Sequence, residues 1–356
     1  MFSSEMPEDV RTRGDVLERI LRRAEYIDLN SVLPRSNFAL PPDVETFHMD
    51  RNEAYETLRA LDVSIVAADG SHVSREFGIA CLGISCSASA FFEHIDVLKV
   101  DEKRACLKEG IHVLAAENGP AWISVREARD TYVVAKKLVE KEVPDIVLLD
   151  GPLLIRPDLL RLDEEGGDDL LESRRYYDDL RECVLSVLEL VKECEERNVY
   201  LVGVVKRPQS KVLAKRVGLK IRDVAILAPK MSVGDVVVLE GPGKHPALEV
   251  YREIGIEEGV TFSGLVSGKW LRVLYVKTAK VPLRLEVPYF TPPEVAAQVV
   301  LATSDKRRGI PWPIQAVDNL CKVGMDALKL LVRSLYRKGW AVENEGVLEP
   351  LPGHEL

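Results

Sequence analysis

Apolar residues recur along this chain in two periods. Between residues 10 and 27, Val16, Leu17, Ile20, Leu21, Ala24 and Ile27 return at helical spacing and mark one face of an amphipathic helix. Pro34 to Pro42 reads as a loop. Ser64-Ile65-Val66-Ala67-Ala68 is then a short apolar run bounded by Asp69-Gly70-Ser71, which predicts a buried strand ending there. A second strand is expected over Phe77–Ser87, where small residues dominate, and a third near His94–Val100, giving an opening β-meander. Residues 123–141 carry Val125, Ala128, Tyr132, Ala135 and Leu138 on one helical face. Asp145-Ile146-Val147-Leu148-Leu149 repeats the buried-strand pattern and ends at Asp150-Gly151-Pro152.

Further on, residues 168–197 predict a long helix, with Leu180, Val184, Val187, Leu188 and Val191 inward and charges on a solvated face. Val199–Val205 predicts a strand leading into Lys206-Arg207. Residues 220–290 alternate like β-structure, with a hairpin-type turn at Gly241-Pro242-Gly243, and residues 294–303 and 313–338 read as helices. Strands interleaved with helices, without internal repeats, fit an α/β fold: a mixed sheet with helices on its faces. The organisation expected is an N-terminal helical segment over 1–50 and one main domain over 51–330, with a β-rich insertion at about 210–280. A helix end and tail follow over 331–356.

Composition narrows the class. Of 356 residues, 46% are hydrophobic, enough for one large core. No apolar run approaches the roughly 20 residues of a membrane span. Met1-Phe2-Ser3-Ser4-Glu5 shows no basic stretch followed by an apolar one, so a cytoplasmic protein is expected. The cysteines Cys81, Cys86, Cys106, Cys183, Cys194 and Cys321 form no C-x-x-C pair and read as reduced, buried thiols. With 48 Lys and Arg against 57 Asp and Glu, the net charge is −9. That balance argues against a broad basic grip on nucleic acid and leaves room for a local basic patch beside an acidic centre.

The candidate chemistry lies in the repeated Asp-Gly. A lone Asp-Gly is an ordinary turn. Here two copies, Asp69-Gly70 and Asp150-Gly151, each close an apolar strand. Adjacent strand ends bring two carboxylates together, and such a pair repels itself unless a cation lies between. Mg2+ or Mn2+ suits all-oxygen ligands. The glycine is expected to let the chain turn sharply.

In chain order, five segments resemble the motifs of the NurA nuclease family. These are Val66-Ala67-Ala68-Asp69-Gly70-Ser71, Leu148-Leu149-Asp150-Gly151-Pro152-Leu153 and Val204-Val205-Lys206-Arg207-Pro208-Gln209-Ser210. Pro282-Leu283-Arg284-Leu285-Glu286-Val287-Pro288 and Gly309-Ile310-Pro311-Trp312-Pro313-Ile314 complete the set. The resemblance implies an RNase H-like fold and Mn2+-dependent (or Mg2+-dependent) cleavage of single-stranded or duplex DNA ends. It also implies 5'–3' end resection in double-strand break repair, a homodimer, and a HerA-type hexameric ATPase as partner. A third carboxylate should come from the helix between the two Asp strands, with Glu127 first and Asp130 as the alternative. Lys206, Arg207 and Arg284 are candidates for holding phosphate.

Two positions depart from the family pattern: Ile310 stands where it has Tyr, and Asp318 where it has His. Aspartate also binds Mn2+ or Mg2+, so Asp318 is a candidate fourth ligand. The departures leave open a catalytically weakened scaffold subunit for the ATPase. An actin- or sugar-kinase-type phosphotransferase also places Asp-Gly at strand ends, but needs a glycine-rich segment where residues 300–330 offer only Gly309 and Gly324. His94, His112 and His245 have no ligand spacing.

Overall fold

Strands buried on both faces belong in the middle of a sheet covered by helices, and Val66-Ala67-Ala68 and Val147-Leu148-Leu149 are almost wholly inaccessible. The computed structural model describes residues 40–337, apart from 43, 78–79, 98, 116–117, 157–158, 161–169, 242–244 and 246. The chain divides into two units after Ala39, and the description concerns the second. The helix expected over 10–27 and the chain beyond 337 lie outside the described residues.

Among the described residues nine strands form one mixed sheet. They are β1 (Glu45–His48), β2 (Ile65–Phe77), β3 (Ala80–Phe92), β4 (Ala105–Ala115), β5 (Ile146–Asp150), β6 (Tyr200–Val205), β7 (Asp235–Leu239), β8 (Leu271–Val276) and β9 (Leu283–Pro288). Their spatial order is β1-β7-β8-β9-β6-β5-β2-β3-β4. Strands β2, β5 and β6 run parallel at the centre. The other pairings are antiparallel. The helices are α1 (Arg51–Ala60), α2 (Gly119–Glu142), α3 (Leu170–Glu196), α4 (Val212–Arg216) and α5 (Asp223–Leu227). They continue with α6 (Ala247–Glu257), α7 (Pro293–Thr303), α8 (Trp312–Cys321) and α9 (Met325–Arg337).

Alternation along the central strands sorts the core into two layers. Val66, Ala68, Val147 and Leu149 face α2, α3 and α6. Ile65, Ala67, Ile146 and Leu148 face α1, α7 and α8. Each fully buried Leu or Ile in these layers contributes on the order of 2 kcal/mol. Small polar residues in β3 let α2 lie close to the sheet: Ser87 Oγ donates to the Glu127 carbonyl at 3.1 Å and Ser89 Oγ to that of Val134 at 2.8 Å.

Several boundaries differ from the sequence reading. Strand β2 does not end at Asp69; it runs to Phe77, paired with β3 throughout. Its polar residues from Gly70 to Glu76 hid this, because a strand need not stay apolar once its partners are satisfied by the ladder. The third strand is β4; the described residues of the stretch 94–100 form no strand and lie ahead of a short 3-10 helix at Glu102–Arg104. Residues 210–280 supply β7 and β8 to the same sheet and also the helices α4, α5 and α6. Strand β7 therefore reaches β8 by way of α6 rather than by a hairpin at Gly241. The last helical stretch breaks at Lys322–Gly324, where the Val323 N–H donates to Ser71 Oγ at 3.2 Å. No helix of the described residues is long and apolar enough to cross a membrane.

Candidate active site

The parallel ladder of β2 and β5 runs from Ile65 opposite Ile146 to Ala68 opposite Leu149. One step further, Asp69 and Asp150 stand level. Both continue the row that faces α7 and α8. Strand β5 stops there, whereas Asp69 is held in mid-strand opposite Ala88. Their carboxyl groups come within hydrogen-bonding reach, and Asp69 is only 5% exposed. Burial first, then the charge and hydrogen bond of Asp150, push the Asp69 pKa up to about 9. Lys206 and the Gly70 N–H, which donates to Asp69 Oδ1 at 2.7 Å, pull it the other way. Without a cation, the pair therefore shares a proton at neutral pH.

The two glycines that follow differ. A Cβ on Gly70 would lie 1.8 Å from Glu127 Oε1 and 2.5 Å from Thr131 Oγ1. Gly70 is thus no turn; it leaves room for the Glu127 side chain beside the strand. Gly151 does turn the chain, with φ +133 and nothing within 4 Å of its would-be Cβ. The turn is pinned from outside. Glu286 Oε2 accepts from the N–H groups of Leu153 at 2.7 Å and Leu154 at 3.0 Å, and Tyr132 Oη donates to the Pro152 carbonyl at 2.9 Å.

Of the two candidate acids on α2, Glu127 is the one that lies against β2. Its Oε2 meets His72 Nδ1 at 3.1 Å, and its Oε1 packs against Gly70. Asp130 turns away: its Oδ1 pairs with Lys108 Nζ at 2.7 Å and Arg129 Nε at 3.1 Å. Asp318 lies half-buried on α8. The Cys321 thiol is pushed well up by burial and then by the charges of Asp69, Cys86, Asp318 and Glu127. Lys206 forms an ion pair with Asp150. Burial opposes its charge, but Asp150, Asp69 and Asp318 outweigh this and hold its pKa above the usual lysine value. Among the described residues no three His, Cys, Asp or Glu side chains make a closed metal cluster; the centre is a carboxylate pair with two flanking acids.

A cavity of about 610 Å3 opens beside Asp150 and Gly151, ringed by Lys206, Arg207, Lys280, Arg307 and Arg308, with Ile310 in its wall. Arg284 does not line it and instead pairs with Glu286 two residues along the same strand. The sequence reading missed His72, Lys280, Arg307 and Arg308. His72 sits three places beyond Asp69, and the run Lys306-Arg307-Arg308 directly precedes Gly309-Ile310-Pro311. Both lie next to motifs already singled out.

Residues 63–323 match the model of the NurA domain family. The chain belongs to that family. All five motif segments fall inside the matched range. Among solved structures, the NurA nuclease from Sulfolobus solfataricus aligns with TM-score 0.52 and 14% identity, over 91% of this chain and 95% of that one. A structure of NurA bound to dAMP and manganese aligns with TM-score 0.51 and 13% identity, over 91% of this chain and 94% of that one. At such identities the likeness speaks to fold, and it agrees with the RNase H-like mixed sheet expected from the motifs. No curated protein sequence matches the chain.

Proposed function

We propose that this protein is a divalent-metal-dependent DNA nuclease. The observation that carries the reading is the Asp69–Asp150 pair: two carboxylates held level on neighbouring parallel strands, one driven to keep its proton. Their crowding suits a hard dication, which would satisfy both charges where a proton and Lys206 now do so. Asp69 and Asp150 would hold it, flanked by Glu127 and Asp318; manganese is the ion named with one NurA structure. When bound, such an ion supplies an activated water and charge neutralisation at a phosphodiester.

The chain's own groups account for the rest. Arg207, Lys280, Arg307 and Arg308 enter no ion pair among the described residues, and so are available to backbone phosphates. Lys206, close to Asp150, would offset charge developing on the cleaved phosphate. His72 orients Glu127. The family resemblance extends the reading to 5'–3' end resection by a cytoplasmic homodimer working with a HerA-type ATPase. The net charge of −9 supports a need for such a partner, which would deliver strand to a protein that otherwise repels it.

The test is cleavage of single-stranded and duplex oligonucleotides by the purified chain with Mn2+, Mg2+ or chelator. Cleavage that requires the ion and vanishes in Asp69→Asn is expected. Folded protein that cuts nothing under any ion would leave only the scaffold alternative. Co-purification with the ATPase tests the partnership separately.

A further inference from the structure

Asp150 and Gly151 are a wall common to two cavities. One is the basic cavity; the other, of about 180 Å3, lies between α2 and the chain that follows β5. Ala128, Pro152, Ile155, Leu159 and Cys183 give it apolar walls, the side chains of Ser124 and Thr131 add two hydroxyls, and Glu127 borders it. Arg156 is the one cation among its described lining residues, against five around the basic cavity. This second space therefore suits a flat, largely apolar group rather than a phosphate. It is also preformed. Tyr132 and Glu286 fix the Pro152–Leu154 turn, and Tyr251 Oη donates to the Leu153 carbonyl at 2.9 Å while accepting from the Ile155 N–H at 3.1 Å.

A strand whose phosphate sits at Asp69 and Asp150 carries a base one sugar away from that phosphate. Its neighbouring phosphates belong with the cations on one side, which leaves the base to the other. We propose that the apolar cavity receives the nucleobase of the nucleotide being cleaved, and that it does so without selecting which base. The second half follows from the walls. Apolar surfaces hold any π-face alike; the Thr131 hydroxyl already donates to the Glu127 carbonyl at 2.9 Å, and the Ser124 hydroxyl, which both donates and accepts, cannot read one base edge against another. The inference rests on the nuclease reading above.

Two measurements decide it. The first compares cleavage of a single-stranded oligonucleotide with one carrying an abasic residue at the cleaved position, in Mn2+. The abasic strand should lose about tenfold or more in kcat/KM, the order expected of one base's stacking. The four natural bases should be cut at similar rates. Ala128→Phe, which fills the cavity, should cut natural and abasic strands equally slowly; Ser124→Phe one turn earlier serves if that variant does not fold. The second measurement is calorimetric binding of dTMP and dAMP against deoxyribose 5-phosphate, again with Mn2+. Both nucleotides should bind more tightly than the sugar phosphate, and Ala128→Phe should erase the difference. Equal cleavage of abasic and natural strands by the wild type overturns the base cavity and leaves the nuclease reading intact. If the wild type cuts nothing, the nuclease reading falls, and the binding ratio alone decides the cavity: equal affinities overturn it.

Discussion

Gly70 and Gly151 each follow one of the paired aspartates, at the same level of the same sheet, yet they answer different physical demands. Gly151 is needed for its backbone: at φ +133 a side chain is strained although space is open. Gly70 is needed for its missing Cβ: the strand continues, and the space belongs to Glu127. The first motif thus makes room for an acid from α2 beside its own strand. The second is a turn held in place by Glu286, Tyr132 and Tyr251 from other elements. One two-letter pattern hides two designs, and substitutions can pull them apart.

The largest effect should come from the aspartates themselves. Asp69→Asn and Asp150→Asn should each reduce Mn2+-dependent cleavage to background while leaving circular dichroism unchanged. Stability adds a sign that a purely structural role would not give. Asp69 has its folded pKa raised to about 9, from the ~4 usual for an unfolded Asp. A raised pKa contributes stability fully below the unfolded value and loses it as pH rises through the folded one. In chelator, wild-type Tm should therefore decline between about pH 4 and pH 9, and Asp69→Asn should flatten that decline. A variant with the wild-type slope would show that Asp69 is not the group titrating.

Next comes the glycine comparison. Gly70→Ala should displace Glu127 and cost about 100-fold in cleavage, the scale of an ångström-level misplacement in a site. Gly151→Ala should chiefly cost stability, roughly 1–3 kcal/mol of backbone strain, with a smaller loss of rate. Measuring kcat/KM and urea midpoints for both would separate them. Equal rate losses would mean that the two glycines share one function after all.

These cases show what was legible in the chain. The two apolar runs before Asp69 and Asp150 read as neighbouring buried strands, and the parallel β2–β5 ladder sets the two aspartates level, because burial and alternation are written locally. The length of β2 was not, since its polar half is satisfied by a ladder with β3 that runs from Ile65 opposite Phe92 to Phe77 opposite Ala80, a pairing that no local period reports. Arg284 read as a phosphate binder because basic residues near motifs invite that role; only the fold shows it turned to Glu286. Conversely Lys280, Arg307 and Arg308 come from the chain between β8 and β9 and the chain between α7 and α8, and meet at Asp150 only in three dimensions.

Glu286 tests the outside support of the second motif. It is 1% exposed, accepts from two backbone N–H groups and pairs with Arg284. Glu286→Gln keeps the shape but leaves the half-buried Arg284 without its counter-charge, at a cost of up to about 3–5 kcal/mol. Thermal or urea unfolding should register this directly, with cleavage reduced less than in Gly70→Ala. An unchanged unfolding midpoint would show the turn at Gly151 to be self-supporting.

The smallest effect on activity should fall at Asp130, three residues after Glu127 on the same helix. The sequence could not choose between the two, because both are acids early in α2 and either might have faced the strands. Three residues on a helix turn the side chain by less than a full revolution, enough to separate them. Glu127 points to Gly70 and His72, whereas Asp130 is 4% exposed and neutralised by Lys108 on β4 and by its helix neighbour Arg129. Asp130→Asn therefore removes a buried counter-charge and should lower the unfolding midpoint, as breaking a buried ion pair does. Cleavage per folded molecule should stay within about twofold of wild type, because no group around Asp69 and Asp150 depends on it. Glu127→Gln, assayed beside it, should show the reverse: little change in midpoint and a deep loss of Mn2+-dependent cleavage. If Asp130→Asn is the inactive one of the two, the third carboxylate has been placed on the wrong turn of the helix.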